Sequence, residues 1–153
     1  MKFDLSQFYN FCSQLRIETK ERGLQKMDRL LGTQTYVMNE IAKGLESDCH
    51  FFVILKGRQL GITTISLALD LYWHFLHAGL QGTLTTDTEE NRDMFRSTLA
   101  NYMDGLPKEY KIPMLAHNRN QLSLKNRSRL FYQVAGTRSK GTLGRGKAIT
   151  FLH

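Results

Sequence analysis

The residues whose types and spacing could do chemistry lie in one run, KGRQLGITT, at positions 56–64. A glycine loop between a buried strand and a long helix can wrap a nucleotide phosphate, because the free N–H groups and the dipole at the helix N-terminus favour an anion. Phosphoryl transfer also needs a cation beside the transferring phosphate and a hydroxyl for magnesium. Lys56 offers the cation, Gly61 permits close backbone approach, and Thr63, at the expected helix start, is placed for Mg2+. Against GxxxxGK[ST], Gly61 and Thr63 match, while Lys56 occupies the first glycine position and Ile62 the lysine position. An ordinary strand-to-helix turn, with Thr63 as a plain cap, accounts for the same letters.

The elements that must position this loop are read from hydrophobic period. Residues 51–56, FFVILK, form a short continuous apolar run, which predicts a central parallel strand buried on both faces. TTISLALDLYWHFLHAG is apolar around most of a helical circumference and is closed by Gly79, which predicts a helix sandwiched within the domain. GTLTT, 82–86, predicts a second strand. Asp87, with Glu90 three residues on, predicts a capping box for a helix ending near Gly105 and Pro107. Upstream, Leu5, Phe8, Cys12 and Leu15 mark an amphipathic helix over 4–17. Tyr36, Val37, Ile41 and Leu45 mark another that stops near Gly44, with only a polar stretch, 18–29, between the two. Gln121 to Lys125 and Arg129 to Val134 alternate about a polar turn and predict a hairpin appended to the sheet. A glycine-rich basic loop follows, then AITFLH, an apolar run with the look of a core strand. Strand and helix in succession predict an α/β domain with a parallel sheet.

Charge is unevenly spread. Residues 1–107 hold 11 basic and 13 acidic side chains, against 10 and one in 108–153, so a net +7 divides into −2 and +9. Such a block attracts nucleic acid or nucleotide phosphates, and a solvated basic surface or a face for an acidic partner explains it equally. Two cysteines, Cys12 and Cys49, are too few for a disulfide scaffold and are expected to be reduced and buried. His74 and His77 stand three apart among aromatic residues and read as core or edge histidines. Tyr72, Trp73 and Phe75 read as packing. Phe131 and Tyr132, flanked by Arg127, Arg129 and Arg138, fit strand alternation better than a base-stacking platform. The apolar stretch 65–78 is interrupted by Ser66, Asp70, His74 and His77 and is too short for a bilayer span. No membrane partner is expected.

KGRQLGITT resembles the deviant phosphate loop of the large terminase subunit, the ATP-driven DNA-packaging motor of tailed phages and prophages. In that family the loop often runs arginine, glutamine, one residue, glycine, lysine or a substitute, then serine or threonine. Arg58, Gln59, Leu60, Gly61, Ile62 and Thr63 follow that order, and some members carry the lysine at the first loop position, where Lys56 stands. The likeness extends to TLTTDTEENRDMF and to GTLGRGKAITFLH, which leads into the strand preceding the Walker B acid, and so covers the chain from about Gln34 onward.

The resemblance implies a three-layer, P-loop NTPase-like parallel sheet with an appended β-hairpin, incomplete at the C-terminus. It divides the chain into an N-terminal helical region, 1–48, and a partial ATPase core, 49–153. It also implies ATP and Mg2+ as cofactors. Lys56, Gly57, Arg58, Gln59, Gly61, Ile62, Thr63 and Thr64 would hold the nucleotide, with Lys56 and Arg58 as catalytic cations and Thr63 on the metal. Gln34 in GTQTYV would read an adenine edge. Arg138, Lys140, Arg145 and Lys147 would touch nucleic-acid phosphates. The implied partners are double-stranded DNA, a small terminase subunit, a portal protein and further copies in a ring, in the cytoplasm of a bacterial host. The Walker B acid and the water-activating glutamate would follow AITFLH, so the 153 residues read as a truncated motor expected to hydrolyse ATP poorly or not at all. The rival expectations are another P-loop NTPase, such as a helicase-like translocase or a kinase, and a catalytically dead, basic nucleic-acid-binding prophage remnant.

Overall fold

A computed structural model describes residues 3–19, 22–135 and 149–152 of the chain. The basic loop with Arg138, Lys140, Arg145 and Lys147 lies outside the described residues. The chain opens with α1 (Leu5–Cys12), capped by Asp4, whose carboxylate accepts from Ser6 N at 2.9 Å and Gln7 N at 3.1 Å. α1 stops sooner than the expected 4–17 helix, because the chain turns at Ser13 and enters an antiparallel hairpin of β1 (Arg16–Thr19) and β2 (Gly23–Lys26). The polar stretch 18–29 thus holds a hairpin that hydrophobic period did not reveal. Then come α2 (Gly32–Glu46), α3 (Ile62–Leu76), β3 (Gln81–Thr86), α4 (Glu89–Gly105), β4 (Met114–His117), β5 (Gln121–Leu124), β6 (Arg129–Val134) and β7 (Ile149–Leu152).

The main sheet has five strands in the order β4-β5-β6-β3-β7. β3 is parallel to both β6 and β7, while β4, β5 and β6 run antiparallel to one another. The fold is therefore α/β with a mixed sheet, and the expected hairpin is not an appendage: its second strand, β6, is internal. α4 packs on β3, β6 and α3, and α1 and α2 pack on α3. Tyr72 anchors an aromatic cluster with Phe3, Phe8 and Phe11, at ring-centre separations of 6.4, 5.3 and 5.1 Å, which explains why α1 needs α3. Trp73 and Phe75 also meet rings of the N-terminal segment, Phe3 at 5.4 Å and Phe11 at 5.8 Å, so Tyr72, Trp73 and Phe75 are packing, as expected of an apolar helix.

Three expectations are corrected. Residues 51–56 form no strand: Phe51, Val53 and Leu55 are about nine-tenths exposed, and no described strand lies beside the segment. An apolar run becomes a buried strand only when neighbours cover its edges and faces, and the described sheet ends at β4 and β7 instead. The cap of α4 is Thr88, not Asp87. Thr88 has extended backbone and accepts from Asn91 N at 3.2 Å, while Asp87 accepts from the Asn91 side chain at 2.6 Å. Cys12 is buried and its thiol is pushed up to about 12 by burial, yet Cys49 is exposed, in the turn after α2. No described helix is long and apolar enough to cross a membrane.

Candidate functional site

The loop before α3 is held by the start of α2. Gly61 stands in the left-handed region (φ 68°, ψ 10°) and opens α3, with its carbonyl accepting from Ile65 N at 3.2 Å. Gln34, only 4% exposed, donates from Nε2 to the same carbonyl at 2.8 Å, and its Oε1 accepts from Leu31 N at 2.8 Å. The second contact is half of a capping box for α2; Leu31 has no polar side chain to complete it. Thr33 Oγ1 donates to Leu60 O at 3.0 Å. Two side chains from one helix start thus grip consecutive carbonyls of the loop. A Cβ at position 61 would sit 2.6 Å from Gln34 Nε2, so glycine is required there for space as well as for φ.

The amides of Ile62, Thr63 and Thr64, in the first turn of α3, have no acceptor within the helix. Thr63 and Thr64 are half-buried, and Ile62 is buried, directed into the protein as a lysine there would not be. Tyr102 of α4 donates its hydroxyl to Thr64 O at 3.0 Å, bracing this turn from beneath, and burial pushes that hydroxyl far up. Lys56, Gly57, Arg58 and Gln59 are all exposed, with Gln59 also at positive φ (61°). Among the described residues neither Lys56 nor Arg58 has an ion-pair partner, so both cations are free to meet an anion.

Of the predicted site residues, Gln34 is brought against Gly61 at the head of α3, with Thr63 and Thr64 in the turn that follows. Gln34 is used differently from expectation: its amide oxygen and one N–H are bound to backbone, leaving one N–H. Sequence reasoning missed Thr33, Leu31 and Tyr102. Thr33 next to Gln34 at the opening of a helical pattern was the only available signal; nothing pointed to Tyr102. No group of three or more His, Cys, Asp or Glu side chains gathers as a metal site among the described residues. Magnesium on a nucleotide is held largely by phosphate oxygens and water, for which a single hydroxyl such as that of Thr63 fits.

Away from the loop, His74 is a core histidine. Its Nδ1 lies 2.7 Å from Asp70 O and 3.2 Å from Asp70 Oδ1, and its Nε2 lies 3.2 Å from Arg129 O. Both ring nitrogens face acceptors, which the doubly protonated imidazolium satisfies. Burial alone would lower the His74 pKa, but Asp70 and the two carbonyls more than offset it and hold the ring above its usual range. Burial raises the Asp70 carboxyl, with His74 opposing. His77 packs at the edge against Trp73, ring centres 5.5 Å apart. Tyr132 is buried and meets His117 Nε2 at 3.2 Å, in keeping with a structural role.

No protein-family model matches this chain, and no curated protein matches it.

Proposed function

We propose that the chain is a nucleotide-binding unit of the terminase ATPase type, binding ATP through residues 56–64. The observation that carries this reading is the left-handed Gly61 at the head of α3. It heads a turn whose three amides have no acceptor within the helix and is gripped from α2 by Gln34, with two exposed cations just before it. In this reading the amides of Ile62, Thr63 and Thr64 cradle phosphate oxygens, and Lys56 and Arg58 neutralise them. Thr63 Oγ1 would hold Mg2+, which supplies charge neutralisation between the phosphates. Gln34 sets the loop's shape and has one N–H left for a base. In the intact motor, hydrolysis would drive double-stranded DNA into a capsid, in a ring of copies working with a small terminase subunit and a portal protein.

The test is binding of a fluorescent ATP analogue with Mg2+. Lys56→Ala is expected to weaken binding tenfold or more, as loss of a charge-assisted phosphate contact does. Absence of binding, or equal binding by the variant, would sink the phosphate-loop reading. A second reading, a basic nucleic-acid-binding module, is favoured by a different observation. Lys108, Lys111, Lys125, Arg127 and Arg129 are all exposed, and Lys125 N bonds to Pro113 O at 2.9 Å, which brings the β5–β6 turn beside the 108–111 turn. Salt-sensitive DNA binding without any ATP binding would select that module.

A further inference from the structure

The end of α3 is tied to the β5–β6 turn through one residue, His74. Its backbone carbonyl accepts from Asn126 Nδ2 at 2.9 Å and from Ser128 Oγ at 3.0 Å, and Ser128 is fully buried. Its ring Nε2 reaches Arg129 O at 3.2 Å. Around it, Gly79 N donates to Asn126 O at 3.0 Å and Arg129 N to Leu80 O at 2.8 Å. The seated turn holds Arg127 at φ 70°, a left-handed conformation that a residue with a side chain keeps only when its surroundings fix it. Lys125, Arg127 and Arg129, all exposed, ride on this turn.

The ring contact depends on a proton. Nδ1 faces two oxygens of Asp70, the carbonyl at 2.7 Å and Oδ1 at 3.2 Å, whereas Nε2 faces one neutral carbonyl. A ring with a single proton keeps it on Nδ1, beside the carboxylate, and turns the Nε2 lone pair on Arg129 O. The bond that is lost is therefore the one between elements, and a repulsion takes its place. Asp70 is the charged side chain that acts on the ring; from β6, Tyr132 feels the Asp70 charge, and Arg96 of α4 acts on Tyr132. His77, three residues on, packs on Trp73. We propose that His74 is a proton-controlled latch: the doubly protonated ring seats the β5–β6 turn against α3, and loss of the Nε2 proton releases that turn while the rest of the fold stays closed. Release lets Arg127 leave its left-handed conformation and disperses the three cations. This inference does not rest on the nucleotide reading, because it uses contacts at the opposite end of α3.

Amide exchange followed by NMR on the 153-residue chain from pH 6 to 9 tests this. The His74 ring is expected to titrate above about 6.5. Over the same step the protection of the Gly79 and Arg129 amides, corrected for base catalysis, is expected to fall about tenfold or more, as loss of a hydrogen bond from a charged group does. The amides of Leu99 and Met103 in α4 keep their protection. Asp70→Asn removes the carboxylate that holds the ring proton, so the ring titration and the step both move to lower pH, by about one unit or more. Ser128→Ala, which leaves the ring in place, lowers protection at every pH and keeps the step. His74→Gln, which cannot ionise, loses it. Protection at Gly79 and Arg129 that is flat with pH, a fall shared equally by Leu99, a ring that titrates below its usual range, or a step that stays put while Asp70→Asn moves the ring would each overturn the proposal. So would a step that survives in His74→Gln.

Discussion

Gly61 shows how one backbone choice serves two contacts. Its left-handed conformation turns the chain from the loop into α3, and the missing side chain lets Gln34 reach the carbonyl. Gly61→Ala is expected to lower stability by about 1–3 kcal/mol, read as a shift of the urea midpoint. Adding Gln34→Ala relieves the crowding but also removes its bonds to Gly61 O and Leu31 N, so the double variant is expected to lose less than the sum of the two single losses without regaining the wild-type midpoint. The glycine was legible in the sequence as punctuation between a run of apolar residues and a long helical pattern. The use of Gln34 was not, since a side chain that bonds to a carbonyl 27 residues away leaves no periodic trace.

At the scale of elements, α3, α4, β3 and β6 were legible because each buries a face and writes its period into the chain. β1 and β2 were not: RIET and GLQK have no fully buried position, so their pairing is carried by backbone bonds that any residues can make. The cap of α4 was misread for a related reason. Asp87 and Thr88 are both good cap types, and only the backbone decides which one stands at the boundary. Thr88→Ala is therefore expected to cost about 1 kcal/mol in thermal or urea unfolding, and Asp87→Ala less. An equal or reversed order would assign the cap back to Asp87. Residues 51–56 illustrate the limit of pattern reading from the other side: the apolar run was visible, but whether neighbours cover it is a property of topology.

Over the whole molecule, stability should carry the mark of the buried Asp70–His74 pair, which ties α3 to β6 through Arg129 O. Tyr132 on β6 feels the Asp70 charge, and Arg96 on α4 acts on Tyr132 in the opposite sense. The folded protein holds the His74 proton more tightly than an unfolded chain does. That contribution is fully present below the unfolded histidine value of about 6.5 and is lost as pH rises through the higher folded value. The raised Asp70 carboxyl acts in the same direction, from a lower pH upward. The melting temperature is expected to decline from pH 6.5 to 9, and the Asp70→Asn/His74→Gln double variant to show a flatter profile. A wild-type profile that rises over that range would contradict the protonated pair.

The strand order has a kinetic consequence. β3 lies between β6 and β7, so Gln81 must find Arg129 and Gly82 must find Ile149 before the centre of the sheet exists. Neither pairing can be seeded by a local turn, and both close long loops. The helices and the β5–β6 hairpin can form early from near neighbours, while the parallel core assembles last. Through that interval the nascent chain shows the underside of its sheet as well as the bare 51–56 run, and rapid dilution into cold buffer favours productive refolding over association between chains.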